Sequence, residues 1–395
     1  MKNELIKAYA LKNALEHKGI PAFNSVINSL FHEGLKKQKI QEIIPKIQDI
    51  INEIKNLTIE QQEKEYEKLK EFIDSRKTRE GLPKLKNTKK GVIMRFAPSP
   101  SGPLHIGHAI TASLSFLYVK KYGGKYYIRI EDTNPENIYK PAYKMIKEES
   151  KWLFENLPII IIQSERMNIY YRYIEKLLKK NIIYVCTCSQ IKFKEYTENK
   201  KSCPCRNFPL IELKERWKKM LDKNGYKEGE AVIRFKSGMD NKNPAFRDFP
   251  LARINLFPHP VQKNKYRVWP LMNLAVVVDD IELKITHLIR AKDHRDNAEK
   301  QKLIFTALGK KYPESYFLGR IHLKDLTLSS SQIRKDIESG KYKGWDDDKL
   351  LTIQSLKKQG FKPKSFHRLA EQIGINEVDK IIDRKELFLL LNNFR

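Results

Sequence analysis

The 395-residue sequence predicts an α/β protein built on a doubly wound parallel sheet, with a helical region before it and another after it. Three observations carry that expectation. From Val92 to Lys180, short apolar runs (92–96, 125–130, 159–163) alternate with helical patterns (about 108–121, 141–155, 166–180), as successive βαβ units do. A second apolar group follows, with Leu274–Val278 expected as a buried sheet segment ended by Asp279-Asp280 and Lys284–Ile289 as another strand. Residues 1–75, by contrast, show helical periodicity only.

In chain order, the helices expected first are Glu4–His17, Ala22–Glu33, Lys39–Lys55 and Thr58–Asp74. Thr58-Ile59-Glu60-Gln61 has the spacing of a capping box, and Pro45 is expected to kink or split the third helix. Nothing in this region suggests chemistry. Residues 76–91 lack apolar periodicity and read as a basic linker.

The stretch Met94–His108, MRFAPSPSGPLHIGH, then joins a strand to a helix through a loop with three prolines and Gly102. Unpaired N–H groups and the dipole at such a helix start form an anion site. His105 and His108 stand at its mouth as donors, and Gly107 removes a side chain where a nucleotide would approach the backbone. An isolated pair of histidines three apart is more often a surface or capping feature. Arg95, Glu131 and Asp132 fall at the carboxyl ends of strands, where ligands of doubly wound sheets bind, so all three are expected to face one crevice.

Cys186, Cys188, Cys203 and Cys205 are the only cysteines. Two CxC pairs flanking a polar insert suit four thiolates on a tetrahedral Zn²⁺, with no open position and hence a structural role. Two disulfides are the competing reading, disfavoured by the absence of a secretion signal. Residues 206–265 mix a helix, about 211–223, with strands at 231–235 and 251–257, and interleave basic residues with Phe and Trp. Further on, Ser329, Ser330 and Ser331 offer three hydroxyls to a phosphate, with Arg334 or Lys335 for charge; alone the stretch reads as a helix N-cap. Helices are expected again at 344–363, 364–373 and 376–391.

Composition narrows the class. The formal charge is +28, and residues 91–395 hold 57 basic against 35 acidic side chains, which points to a polyanion such as nucleic acid. A lysine-rich surface throughout is the bland alternative. No apolar run approaches the ~18 residues of a membrane span, and the N-terminus lacks a signal-peptide core, so a cytoplasmic protein with no membrane partner is expected.

RFAPSPSGPLHIGHA, followed by Arg129-Ile130-Glu131-Asp132-Thr133, resembles the HIGH signature of class I aminoacyl-tRNA synthetases in its glutamyl branch, and several segments resemble the archaeal type. The resemblance implies a class I synthetase Rossmann-like fold. It divides the chain into an N-terminal helical domain (1–75), linker (76–91), first catalytic half (92–183), zinc-containing acceptor-binding insert (184–265), second half (266–343) and C-terminal helical segment (344–395). It implies activation of glutamate with ATP and Mg²⁺ and transfer to the acceptor end of tRNA-Glu. His105, Gly107, His108 and Ser329–Ser331, the last in a KMSKS-like position without its lysines, would then serve ATP; Arg95, Ser99, Glu131 and Arg290 would hold glutamate. An ordinary ion pair with Asp293 or Glu282 is the plain alternative for Arg290. Met272 stands where bacterial relatives present a tyrosine. Residues 1–75 resemble the N-terminal extension of the archaeal type, which implies a protein partner. The sequence ends where full-length relatives continue into anticodon-reading barrels, so the expectation is either a fragment or split product, with a separate anticodon-binding chain, or a protein that works without anticodon contact. A glutaminyl enzyme, a glutamyl transferase acting on a tRNA base, and an inactive tRNA-binding scaffold are the alternatives.

Overall fold

The computed structural model describes residues 3–17, 19–33, 35, 37–73, 81–324 and 328–392. The chain divides into two units, Met1–Glu80 and Gly81–Arg395.

In the first unit, helices Asn3–Glu16, Phe23–His32, Ile40–Lys55 and Ile59–Leu69 enclose Ile6, Leu11, Val26, Leu30, Ile47 and Ile54. Thr58 caps the last of these with both bonds of a capping box, its hydroxyl accepting from Gln61 N–H and the Gln61 side chain accepting from Thr58 N–H. That helix gives way to a 3₁₀ turn at Lys70–Phe72. Pro45 neither splits nor ends its helix, which runs unbroken over 16 residues. One lost N–H bond is offset by a buried stripe of Ile43, Ile47, Ile50, Ile51 and Ile54. Gln62 is fully buried and donates to the carbonyls of Gly19, Ile54 and Leu57, which ties the end of the third helix to the turn at Gly19.

Among its described residues the second unit carries eleven strands: β1 (Val92–Phe96), β2 (Gly124–Ile130), β3 (Ile159–Ile162), β4 (Ile183–Cys186), β5 (Val232–Phe235), β6 (Pro250–Ile254), β7 (Val268–Pro270), β8 (His287–Ala291), β9 (Glu314–Leu318), β10 (Ile321–Leu323) and β11 (Lys380–Ile382). β1, β2 and β3 form a parallel sheet with helices Ile106–Tyr122 and Ala142–Leu153 as crossovers, and β8 pairs in parallel with β9. Thr286 joins the two pieces: its N–H donates to Ile93 O at 2.9 Å, and its hydroxyl accepts from Ile93 N–H at 2.8 Å. The expected alternation therefore holds through β3.

β4 leaves the pattern. It pairs with β5 in an antiparallel sheet of order β4-β5-β6-β7, whose core includes Trp217, Phe235, Phe249, Leu251 and Trp269. The interleaved aromatics there are largely core, as their strand spacing suits. The apolar run Leu274–Val278 is not a strand. It lies in the helix Met272–Glu282, buried almost all round, so a continuous apolar run was read as a sheet segment when every face of a helix was covered. The strand that follows starts at His287, three residues later than expected. At the C-terminal end, Ile353–Lys358 and Pro363–Ile373 are helical, but 376–391 is β11 followed by helix Arg384–Asn392, and β11 pairs in parallel with β10. Among the described residues no helix is long and apolar enough to cross a membrane.

Candidate active site

The carboxyl ends of β1, β2 and β8 surround a cavity of 710 Å³ lined by Arg95, Ser99, His105, Gly107, His108, Glu131, Met272, Arg290 and Ser329, among others. It sits where the strand order of a doubly wound sheet predicts. The loop after β1 is tied down at both ends. Glu131 N–H donates to Pro98 O at 2.9 Å, and Leu104 N–H donates to the buried Glu149 carboxyl at 2.6 Å, which Gln354 also meets at 3.0 Å. Burial pushes the Glu149 pKa up to about 8. Gly102 is required there: a Cβ at that position would lie 2.9 Å from both Ser330 Cβ and the Trp345 ring.

His105 and His108 flank the first turn of helix Ile106–Tyr122 with their rings stacked at 3.6 Å. A Cβ on Gly107 would press on the His105 ring at 3.2 Å. Desolvation lowers both imidazoles, His108 to about 4 and His105 well below its ordinary value, the latter also through His108. Both rings are therefore neutral near pH 7. Their Nδ1 atoms are buried without a partner among the described residues, which favours the tautomer carrying its proton on Nε2, the edge each ring has left to offer.

The floor of the cavity is a buried ion network. Arg95 is fully engaged on one side, its Nε and Nη2 donating to the two Asp280 oxygens at 2.9 and 3.1 Å. Arg129 reaches Asp280 at 2.6 Å and Glu131 at 2.8 Å, and Arg166 reaches Asp279 at 2.7 Å. Burial would raise the Asp280 pKa, but Arg95 and Arg129 outweigh it and hold the carboxyl at about 2. Arg290 differs. It is 8 % exposed and donates to the neutral Gln301 amide at 3.0 Å, and among the described residues no carboxylate lies within ion-pair distance of it. Desolvation, and then the neighbouring Arg95 charge, lower its pKa. The plain alternatives fail: Asp293 pairs with Arg320, and Glu282 accepts from Tyr173.

Other expectations need correction. Asp132 does not face the crevice; it is buried beneath the loop, accepting from Tyr143 at 2.6 Å and from Ser164 N–H at 2.8 Å. Of the three serines only Ser329 lines the cavity, because it caps helix Ser330–Glu338 while Ser330 is buried beside Gly102 and Ser331 bonds back to Ser329 at 3.0 Å. Asp325, Leu326 and Thr327 of the same loop lie outside the described residues. Arg334 stacks on Tyr139 and pairs with Glu338 away from the cavity; besides Arg95 and Arg290, the arginine and lysine that line it are Arg320 and Lys380. Sequence reasoning missed these two, and also Arg129, Asp280 and Gln301. An arginine inside the strand pattern of β2, and an acidic pair adjoining an apolar run, were the available signals.

Away from the cavity, the four cysteines carry no disulfide and their Sγ atoms all lie within 4.8 Å of one another. Cys186–Cys203 and Cys188–Cys205 are 3.8 and 3.9 Å apart, close to the roughly 3.8 Å edge of a tetrahedron with 2.3 Å Zn–S bonds. Arg216 donates to Cys205 Sγ at 3.9 Å, as a charge-balancing neighbour of clustered thiolates would.

Residues 91–390 match the family model described as tRNA synthetases class I (E and Q), catalytic domain. The chain belongs to this family. It is 42% identical to the glutamate–tRNA ligase of Thermococcus onnurineus over 391 residues, covering 96% of this chain and 68% of that protein. It is 39% identical to the glutamate–tRNA ligase of Methanobrevibacter smithii, covering 99% of this chain and 70% of that protein. In fold it is similar to a glutamate tRNA ligase from Elizabethkingia meningosepticum solved in complex with its amino acid, with a TM-score of 0.55 at 22% identity over 76% of this chain and 68% of that one. In this chain His105, Gly107, His108, Arg95, Glu131 and Arg290 line a single crevice.

Proposed function

We propose that the chain is a glutamate–tRNA ligase that activates glutamate with ATP and transfers it to the 3′ end of tRNA-Glu. The observation that carries the choice of amino acid is Arg290, a buried guanidinium that has no carboxylate partner among the described residues and faces the same cavity as the histidine loop. Such a group is costly unless an anion completes it. The glutamate side chain is a fitting anion, whereas the neutral amide of glutamine would leave the charge uncompensated.

In this reading a glutamate carboxylate oxygen attacks the α-phosphorus of ATP as the bond to the β-phosphate oxygen breaks and pyrophosphate leaves; a ribose hydroxyl of the terminal tRNA nucleotide then takes the glutamyl group and AMP departs. Arg95 and Arg290 hold the two carboxylates, with Arg95 using only the part of its fork that Asp280 does not occupy. Glu131 and Ser99 hold the ammonium. The neutral His105 and His108 donate to the nucleotide beside Gly107, and Ser329 meets the phosphates, with Mg²⁺ accompanying ATP. Positioning and fixed donors dominate such phosphoryl chemistry.

The four cysteines suit a structural Zn²⁺ that holds the start of the antiparallel region together. That region, with the hairpin closed by His259 and Lys263 and its exposed Leu256, Phe257 and Val261, is assigned to the tRNA acceptor end. The N-terminal helices are assigned to protein association.

The test is amino-acid-dependent ATP–pyrophosphate exchange with tRNA-Glu present, run with glutamate, glutamine and aspartate. Exchange is expected with glutamate and at least a hundredfold less with the others. Equal exchange with glutamine overturns the assignment.

A further inference from the structure

Four guanidiniums, Arg95, Arg129, Arg166 and Arg290, meet three carboxylates, Glu131, Asp279 and Asp280, in the floor of the cavity. One positive charge is left over, and the pairing places it at Arg290. What keeps it there is Gln301. This side chain is 1 % exposed, sits on the helix Arg295–Ala307, and gives Arg290 a hydrogen-bond acceptor of the right shape with no charge. Its amide cannot turn round, because Nε2 donates to Asn273 Oδ1 at 3.1 Å and Asn273 Nδ2 donates in turn to Asn297 Oδ1 at 3.2 Å. A chain of three amides thus fixes the oxygen toward Arg290.

A glutamate at this position would fit the same space and accept the same bond. It would also neutralise Arg290 as Asp280 neutralises Arg95. We infer that Gln301 is a specificity-determining positioning residue: by holding Arg290 without neutralising it, Gln301 leaves the charge that distinguishes a substrate carboxylate from a carboxamide. The inference rests on the proposed glutamate activation. Specificity is a difference between two affinities, and removing an uncompensated charge lowers the favoured one while relieving the penalty on the other.

The experiment measures glutamate- and glutamine-dependent pyrophosphate exchange for the full chain with tRNA-Glu present, comparing the wild type with Gln301→Glu and Gln301→Met. For Gln301→Glu the KM for glutamate is expected to rise at least tenfold with the KM for ATP unchanged, and the glutamate-to-glutamine ratio of kcat/KM to fall at least tenfold. Gln301→Met keeps the volume and the Arg290 charge but loses the acceptor. Its glutamate KM is expected to rise while the ratio stays within threefold, a split that a merely structural role would not produce. A ratio for Gln301→Glu within threefold of the wild type overturns the inference, as does a tenfold loss of ratio in Gln301→Met. If Gln301→Glu does not fold, the Gln301→Met ratio decides. A wild type that shows no glutamate-dependent exchange overturns the proposed function itself, which separates the two failures.

Discussion

At His105 and His108 the two rings stack at 3.6 Å and cannot both carry charge in a desolvated wall. Neutral imidazoles serve here as fixed donors and not as proton reservoirs. Removing one donor aimed at a phosphoryl group typically costs about 3 kcal/mol, so His108→Ala should slow glutamate-dependent exchange at least tenfold with its melting temperature little changed near neutral pH. The His108 pKa of about 4, against an ordinary 6.5, also fixes a stability trend. The folded chain favours the neutral ring, so protonation favours unfolding and stability is lost as pH falls from 6.5 toward 4. Melting curves at about pH 7 and about pH 5 should show a smaller acid-induced drop for His108→Gln than for the wild type. Identical drops would mean that the ring is not buried neutral. The sequence identified this residue and its loop but not its neutrality, which depends on packing by the rings of His105 and Phe96.

At the scale of elements, β1 and helix Ile106–Tyr122 were legible because strand, loop and helix start follow one another within a few residues. Helix Met272–Glu282 was not, since a helix covered on all sides has no polar face and its apolar run resembles a buried strand. With the element misread, Asp279 and Asp280 looked like a terminus when they are buried partners of Arg95, Arg129 and Arg166. β11 was missed for a different reason: a three-residue strand paired to β10, almost sixty residues away, leaves little local pattern. The cysteine spacing was legible because ligand geometry is local. Reduced, purified protein should contain one Zn²⁺ per chain, and a strong chelator should lower the melting temperature by several degrees. A Cys203→Ser variant with the same metal content and stability would show that the cluster holds no ion.

For the whole molecule, the +28 charge is a statement about partners and not about fold. Binding of tRNA-Glu should weaken at least tenfold between about 50 and 200 mM salt, since each neutralised phosphate releases counterions. An affinity that ignores salt would leave the basic excess as mere surface composition. The central claim is that one cavity joins a nucleotide site to a carboxylate site through Arg290. It is tested most directly by calorimetric titration with a glutamyl-adenylate mimic in which a sulfamoyl group replaces the phosphate. One mimic per chain is expected, bound at least a hundredfold more tightly than glutamate, as intermediate-like ligands are. Arg290→Leu should weaken it at least tenfold while leaving the alanyl counterpart, which lacks the side-chain carboxylate, unaffected. Equal binding of the glutamyl and alanyl mimics by the wild type would contradict the account.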